Sequence, residues 1–293
     1  MSARIAFFGL GNMGEPMASH LVRKGFGVTV TGHRRREPVE RMVALGATEV
    51  REPGLAVRDA DVVLLMLPGS DEVDALTLGP GGLLAAMRPG AVLLDCSTSD
   101  PVRSAAVASD GAKRGLRYVD APVTRGVQGA RDGKLAFFIG GDDGAVDVVQ
   151  PLLAAMGDTF LRMGPAGAGH TTKILVQTLS YGTVALVNEA LMLGSRAGLV
   201  ASELQDALMA GAGSKALEAF GPRISGRQYQ PARVAISDAQ AHLAAGRRLA
   251  NALGCERRVH DAASEAIAAI GRRGMDRSDI AALAELWPQV RKT

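Results

Sequence analysis

The run Gly9-Leu-Gly11-Asn-Met-Gly14 constrains this chain more than any other feature. It follows a short apolar segment, Arg4–Phe8, and opens a stretch over 13–24 whose apolar residues recur at helical spacing. A glycine pattern alone says little, but a strand before it and a helix after it make a dinucleotide-binding fingerprint. Gly9 permits the tight turn, Gly11 lets a pyrophosphate approach the backbone, and Gly14 lets helix and strand pack closely. The free N–H groups at the helix start, at the positive end of its dipole, would then hold the phosphates. Gly9, Leu10, Gly11, Asn12, Met13 and Gly14 are therefore candidate cofactor contacts.

The rest of the first half agrees with this reading. Apolar runs at 27–31, 61–67, 91–94, 116–119 and 135–139 alternate with amphipathic segments such as 13–24 and 101–114. Each run is short, rich in Val, Ile, Leu or Phe, and closed by Gly, Pro, Asp or Ser, as buried strands are. Such alternation predicts a parallel sheet with helices on both faces. The segment Gly164-Pro-Ala-Gly-Ala-Gly169 breaks the pattern. Beyond it, residues 170–197 contain no proline, and as one helix they would be about 42 Å long. Further helical segments follow at 201–210, 235–253 and 261–270. The expected class is α/β: an N-terminal doubly wound Rossmann domain over 1–164, then an all-α C-terminal domain over 165–293.

Residues 31–37 read Thr-Gly-His-Arg-Arg-Arg-Glu. An NAD site places an acid about 20 residues past the glycines, where it accepts bonds from the ribose hydroxyls. No acid lies between Val28 and Arg36. A carboxylate would repel a 2′-phosphate, whereas a guanidinium grips one with paired charge-assisted bonds. This predicts a preference for NADP(H), with NAD(H) possible. Arg34 and Arg35 are the leading phosphate contacts, His33 a stacking neighbour, and Arg36 a solvated helix start.

Composition closes off other classes. The net charge of +3 is too small to imply nucleic-acid or membrane binding. No stretch reaches membrane-spanning length, and the glycine motif begins too early to leave room for a signal peptide, so a cytoplasmic location is expected. Cys96 and Cys255 are far apart and are expected to be reduced, buried thiols. The five histidines show no ligand spacing, so no metal is expected. The basic stretch 223–233 reads as a solvated connection.

Lys173 stands near the start of the long predicted helix, after the glycine-rich entry. Gln177, Ser180 and Tyr181 follow at i+4, i+7 and i+8, so a polar stripe runs from Lys173 along one face. Such a stripe on a helix otherwise suited to burial suggests a lined pocket, with a lysine snorkelling from the helix end as the alternative. His170, one turn before Lys173, is expected to cap the helix or face solvent, with tuning of Lys173 as the alternative.

The opening signature, residues 9–18, resembles that of the β-hydroxyacid dehydrogenase family. Stretches around Asp95–Pro101, Asp120–Gly126, Gly167–Lys173 and Ile236–Asp238 agree in order and spacing, so the resemblance covers nearly the whole chain. It implies a Rossmann domain followed by a helical dimerisation domain, in a homodimer or homotetramer. It also implies that Lys173 is the general acid and base while hydride passes between the nicotinamide and a small carboxylate-bearing substrate. By the same resemblance, Leu67, Pro68, Thr98 and Ser237 belong to the cofactor site. Thr124, Arg125, Gly126, Gln177, Ser180 and Asp238 belong to the substrate site.

Three positions depart from the family pattern. Thr124-Arg125-Gly126 stands for the usual Ser-Gly-Gly, Gln177 for Asn, and Ser237 for the lysine before Asp238. Arg125 adds a charge that either resembles that of the branch taking a distal or stronger anion or turns to solvent. The expected activity is interconversion of a small β- or ω-hydroxyacid with its semialdehyde or keto acid. An imine-reductase-like enzyme and a non-catalytic NADP-binding scaffold are the alternatives.

Overall fold

The computed structural model describes residues 3–32 and 35–287. The chain divides into two compact units, Met1–Lys173 and Ile174–Thr293.

In the first unit, nine strands among the described residues form one sheet. They are β1 (Arg4–Phe8), β2 (Gly27–Val30), β3 (Thr48–Glu49), β4 (Val62–Leu65), β5 (Val92–Asp95), β6 (Arg117–Asp120), β7 (Val123–Thr124), β8 (Leu135–Gly140) and β9 (Gly157–Gly164). The order is β3-β2-β1-β4-β5-β6-β8-β7, with β9 paired to β8. From β3 to β6 the pairings are parallel, as the alternating pattern predicts. The parallel expectation stops at β8, which runs antiparallel to β6 and β7 while β9 runs parallel to it. A buried apolar run carries no record of its direction, so the sequence could not show this reversal.

The helices of this unit are α1 (Gly14–Arg23), α2 (Glu37–Leu45), α3 (Pro53–Val57), α4 (Ser70–Thr77), α5 (Leu83–Ala86), α6 (Pro101–Ala112), α7 (Gly126–Asp132) and α8 (Asp143–Met156). Side chains alternate across the sheet and supply two cores. Ile5 and Phe7 pack with Met17, Leu21 and Leu94, whereas Ala6 and Phe8 pack with Val63, Leu65 and Leu93. Both faces are thus covered, which leaves the carboxyl ends of the strands as the place for a ligand.

Helix α9 (Ala168–Arg196) spans 29 residues and crosses from the first unit into the second. The second unit continues through α10 (Ala201–Ala212), α11 (Lys215–Ser225), α12 (Ile236–Ala252), α13 (Arg258–Gly271) and a 3₁₀ segment, Ile280–Leu286. Its core gathers Tyr181, Val184, Leu191, Leu217, Phe220, Ile236, Leu243 and Ile267.

Two surface expectations change. Cys96 is buried as expected, but Cys255 is exposed in the turn after α12. The stretch 223–233 is not merely solvated, because Arg223 lies 3.7 Å from the buried carboxylate of Asp279 and Arg227 is ion-paired with Glu285. Nor, among the described residues, is any helix long and apolar enough to cross a membrane.

Candidate active site

The glycine turn has the shape its residues require. Gly9 adopts φ +102°, and a Cβ there would overlap the carbonyl of Met66. A Cβ on Gly14 would overlap the Gly9 carbonyl, so α1 starts directly against the turn. Gly11 differs: it is exposed, and a Cβ added there would meet nothing within 4 Å. Leu10 and Met13 are half-buried, Asn12 is exposed, and α1 begins without a side-chain cap at Met13. An open glycine beside uncapped helix N–H groups fits a pyrophosphate.

The end of β2 adds an orphan: the Thr31 hydroxyl is buried without a hydrogen-bond partner. Gly32 follows it, with Val39 and Arg36 at 3.3 and 3.4 Å from where a Cβ would stand. His33 and Arg34 lie outside the described residues. Arg35 is exposed, and its charge helps to lower the pKa of Glu15 in the first turn of α1, after the larger effect of the Arg41 hydrogen bond. Arg36 stands exposed at the N-cap of α2, without a side-chain cap, and donates to Glu49 at 2.5 and 3.1 Å.

At the carboxyl ends of β4, β5 and β6 the loops interlock. Leu67 is half-buried and donates its N–H to the Ser97 hydroxyl at 3.0 Å, while Pro68 is exposed. Asp95, fully buried, accepts from the Ser97 N–H at 2.9 Å and the Ser99 hydroxyl at 3.1 Å. Thr98 lies half-buried between them. Asp120, also fully buried, accepts from the N–H groups of Gly167 at 2.6 Å and His170 at 2.7 Å. The approach is so close that a Cβ on Gly169 would overlap the Phe138 carbonyl and crowd Asp120.

One turn along, Lys173 is 8% exposed and donates from Nζ to the Val123 carbonyl at 2.9 Å. Burial lowers its pKa from 10.5 to about 8. Thr124 follows Val123 on β7 and is half-buried. Arg125 has the left-handed φ of +82°, and its guanidinium donates to the Lys134 carbonyl at 2.7 Å, Asp158 at 2.5 Å and Thr159 at 2.7 Å. Gly126 is exposed at the start of α7.

His170 departs from expectation. It is fully buried, with Nε2 3.1 Å from the Ser97 carbonyl and Nδ1 2.8 Å from the Ser104 hydroxyl. Its neighbours lie far off in the chain, on the loop after β5 and on α6, so nothing in the local sequence announces this burial. Asp95 and Asp120 belong to the motifs that carry the family resemblance, but their roles in fixing loops emerge only in three dimensions.

In the second unit, Gln177 and Ser180 are half-buried on α9, and Ser237 and Asp238 are exposed in the first turn of α12. Tyr181, by contrast, is buried in the helical core and shares a 2.8 Å hydrogen bond with His242. Burial, then the Asp238 charge, raises its pKa. Among the described residues no group of His, Cys, Asp and Glu could hold a metal.

Residues 4–164 match a family model described as the NAD-binding domain of 6-phosphogluconate dehydrogenase. Residues 167–287 match one described as NAD-binding of NADP-dependent 3-hydroxyisobutyrate dehydrogenase. An NAD-dependent L-serine dehydrogenase of Pseudomonas aeruginosa is 40% identical over 75% of this chain and 74% of its own length. A 2-hydroxy-3-oxopropionate reductase of Escherichia coli is 32% identical over 82% of both chains. Among solved structures, a Mycobacterium tuberculosis 3-hydroxyisobutyrate dehydrogenase with L-serine superposes with a TM-score of 0.87. It is 27% identical and covers 99% of this chain and 100% of that one.

Proposed function

The chain belongs to the β-hydroxyacid dehydrogenase family of NAD(P)-dependent oxidoreductases, and we propose that it interconverts a small β-hydroxyacid and its semialdehyde or keto acid, with Lys173 as general acid and base. The observation that carries this reading is a buried lysine whose ammonium is held by the Val123 carbonyl and whose pKa falls to about 8. Such a group can both give and take a proton near neutrality.

Bound NAD(P) supplies a hydride acceptor or donor. Everything else falls to the chain. In the oxidative direction the neutral Lys173 amine accepts the substrate hydroxyl proton; in reduction the ammonium returns it to the carbonyl oxygen. Thr124, directly after the Val123 whose carbonyl holds Lys173, offers a hydroxyl to the substrate carboxylate. We assign Arg125 and Gly126 to the same loop through their backbone, with the Arg125 guanidinium remaining on Asp158. Gln177, Ser180 and Asp238 are assigned to the substrate, and Ser237 to the cofactor.

For the cofactor we propose a preference for NADP(H). Its support is the absence of an acid between Val28 and Arg36, where three arginines stand instead, and the unpartnered Thr31 hydroxyl. Gly9, Leu10, Gly11, Asn12, Met13 and Gly14 would hold the pyrophosphate. Leu67, Pro68 and Thr98 would flank the nicotinamide. We assign cofactor binding to 1–164, and substrate binding and self-association to 165–293. Leu175, Leu179, Leu186 and Leu193 are all exposed and fall within about 40° on α9, a stripe suited to a homodimer or homotetramer. The cytoplasm remains the proposed location.

The test is a panel of hydroxyacids, including L-serine and 3-hydroxyisobutyrate, followed by nicotinamide absorbance with NADP⁺ and with NAD⁺. Turnover of a β-hydroxyacid, faster with NADP⁺ at limiting concentration, is expected. Turnover of a cyclic imine but of no hydroxyacid would overturn the reading.

A further inference from the structure

Ser97, Asp120 and His170 take no part in the proton transfer, yet all three are fully buried. A contact path runs through them. The Leu67 N–H meets the Ser97 hydroxyl, the Ser97 carbonyl meets His170 Nε2, and the His170 N–H meets Asp120. Asp120 in turn stands three residues before Val123, whose carbonyl holds Lys173. We propose that His170 is a positioning residue: its ring locks the first turn of α9, and so the Lys173 ammonium, against the 97–100 loop. This inference rests on reading Lys173 as the proton donor.

A helix start needs only its N–H groups satisfied, and Asp120 already accepts two of them. The ring does something further, because it reaches across to the loop after β5. The Ser97 carbonyl can only accept, so Nε2 must donate to it, which leaves the Ser104 hydroxyl for Nδ1. The charged groups around the ring are Asp95, 3.9 Å from Nε2, and Asp120, 3.8 Å from Nδ1, with the Tyr118 hydroxyl against Asp95. Lys173 lies one turn on. A Cβ on Gly169 would overlap the Phe138 carbonyl, so this turn lies close against β8. Loss of the Ser97 bond would release this turn on one side only and let water reach the lysine.

The experiment compares His170→Gln with His170→Asn in the full chain. A glutamine amide reaches about as far as Nε2 and can donate to Ser97, whereas an asparagine amide ends near Nδ1. Competitive acetylation of Lys173 by acetic anhydride across pH, read by mass spectrometry, reports the state of the amine without any substrate. Wild type and His170→Gln are expected to share a midpoint near 8. In His170→Asn the midpoint should rise by about one unit or more, as solvent returns to the amine. With a turned-over hydroxyacid, kcat should fall about 30- to 100-fold in His170→Asn, with KM within about threefold. Equal midpoints in the two variants, whether shifted or not, would overturn the proposal, as would lower melting temperatures with an unmoved midpoint. Full activity in Lys173→Ala would instead sink the proton-donor reading, while the labelling midpoints would still decide the role of His170.

Discussion

Lys173 extends its ammonium to the backbone carbonyl of Val123, 2.9 Å away, from a position only 8% exposed. Burial prevails there, and the pKa falls to about 8. The pH dependence follows directly. The rate of hydroxyacid oxidation needs the neutral amine and should rise through about pH 8, whereas reduction needs the ammonium and should fall through the same value. Initial rates in both directions across pH would show the two limbs crossing; parallel profiles would contradict the assignment.

The same burial has a cost in stability. Below about pH 8 the folded chain holds a desolvated ammonium; between there and 10.5 it binds fewer protons than the unfolded chain, so its stability rises with pH. Lys173→Met should therefore be more stable than wild type at neutral pH, by on the order of 1–3 kcal/mol after the lost Val123 bond is deducted. The gain should shrink as pH climbs from 8 to 10.5. Urea unfolding at several pH values measures it.

Cofactor choice separates the three arginines. Arg34→Ala with Arg35→Ala should weaken NADPH about 10- to 100-fold, since a charge-assisted bond contributes about 1.5–3 kcal/mol. NADH should change little. Arg36→Ala removes a guanidinium held by Glu49 and should leave the NADPH-to-NADH ratio alone. Fluorescence titration with both cofactors distinguishes these outcomes.

Arg125 is engaged by Asp158, Thr159 and the Lys134 carbonyl, and its φ of +82° suits glycine. Arg125→Gly should leave the ranking of substrates by anion unchanged. Its stability should move by no more than about 1 kcal/mol, as the lost exposed ion pair and the relieved backbone offset one another. A reordered substrate panel would return the guanidinium to the substrate.

Gly9→Ala tests the turn itself. The positive φ and the overlap with Met66 should cost about 1–3 kcal/mol or more, together with a large loss of affinity for either cofactor. Thermal unfolding and cofactor titration would report the two effects separately.

The fold was largely legible because its signals are local. Gly9 and Gly14 announce a turn pressed between strand and helix, and the apolar runs mark β1, β2, β4, β5, β6 and β8. Helix α9 was visible in a long stretch without proline. What stayed hidden depends on partners far away in the chain. Nothing near Leu135 announces that β8 turns antiparallel. Nothing near His170 reveals that Ser97 and Ser104 enclose its ring, or that Asp158 occupies Arg125. Arg36 likewise resembles its neighbours until Glu49 is brought beside it by β3.

The most direct measurement is the turnover of Lys173→Ala with a hydroxyacid that the wild type oxidises, alongside NADPH binding and a melting curve. A fall in kcat of about 10²- to 10⁴-fold is expected, with the fold and the affinity for NADPH intact. Turnover at the wild-type rate in a folded Lys173→Ala chain would contradict the role of Lys173 as general acid and base.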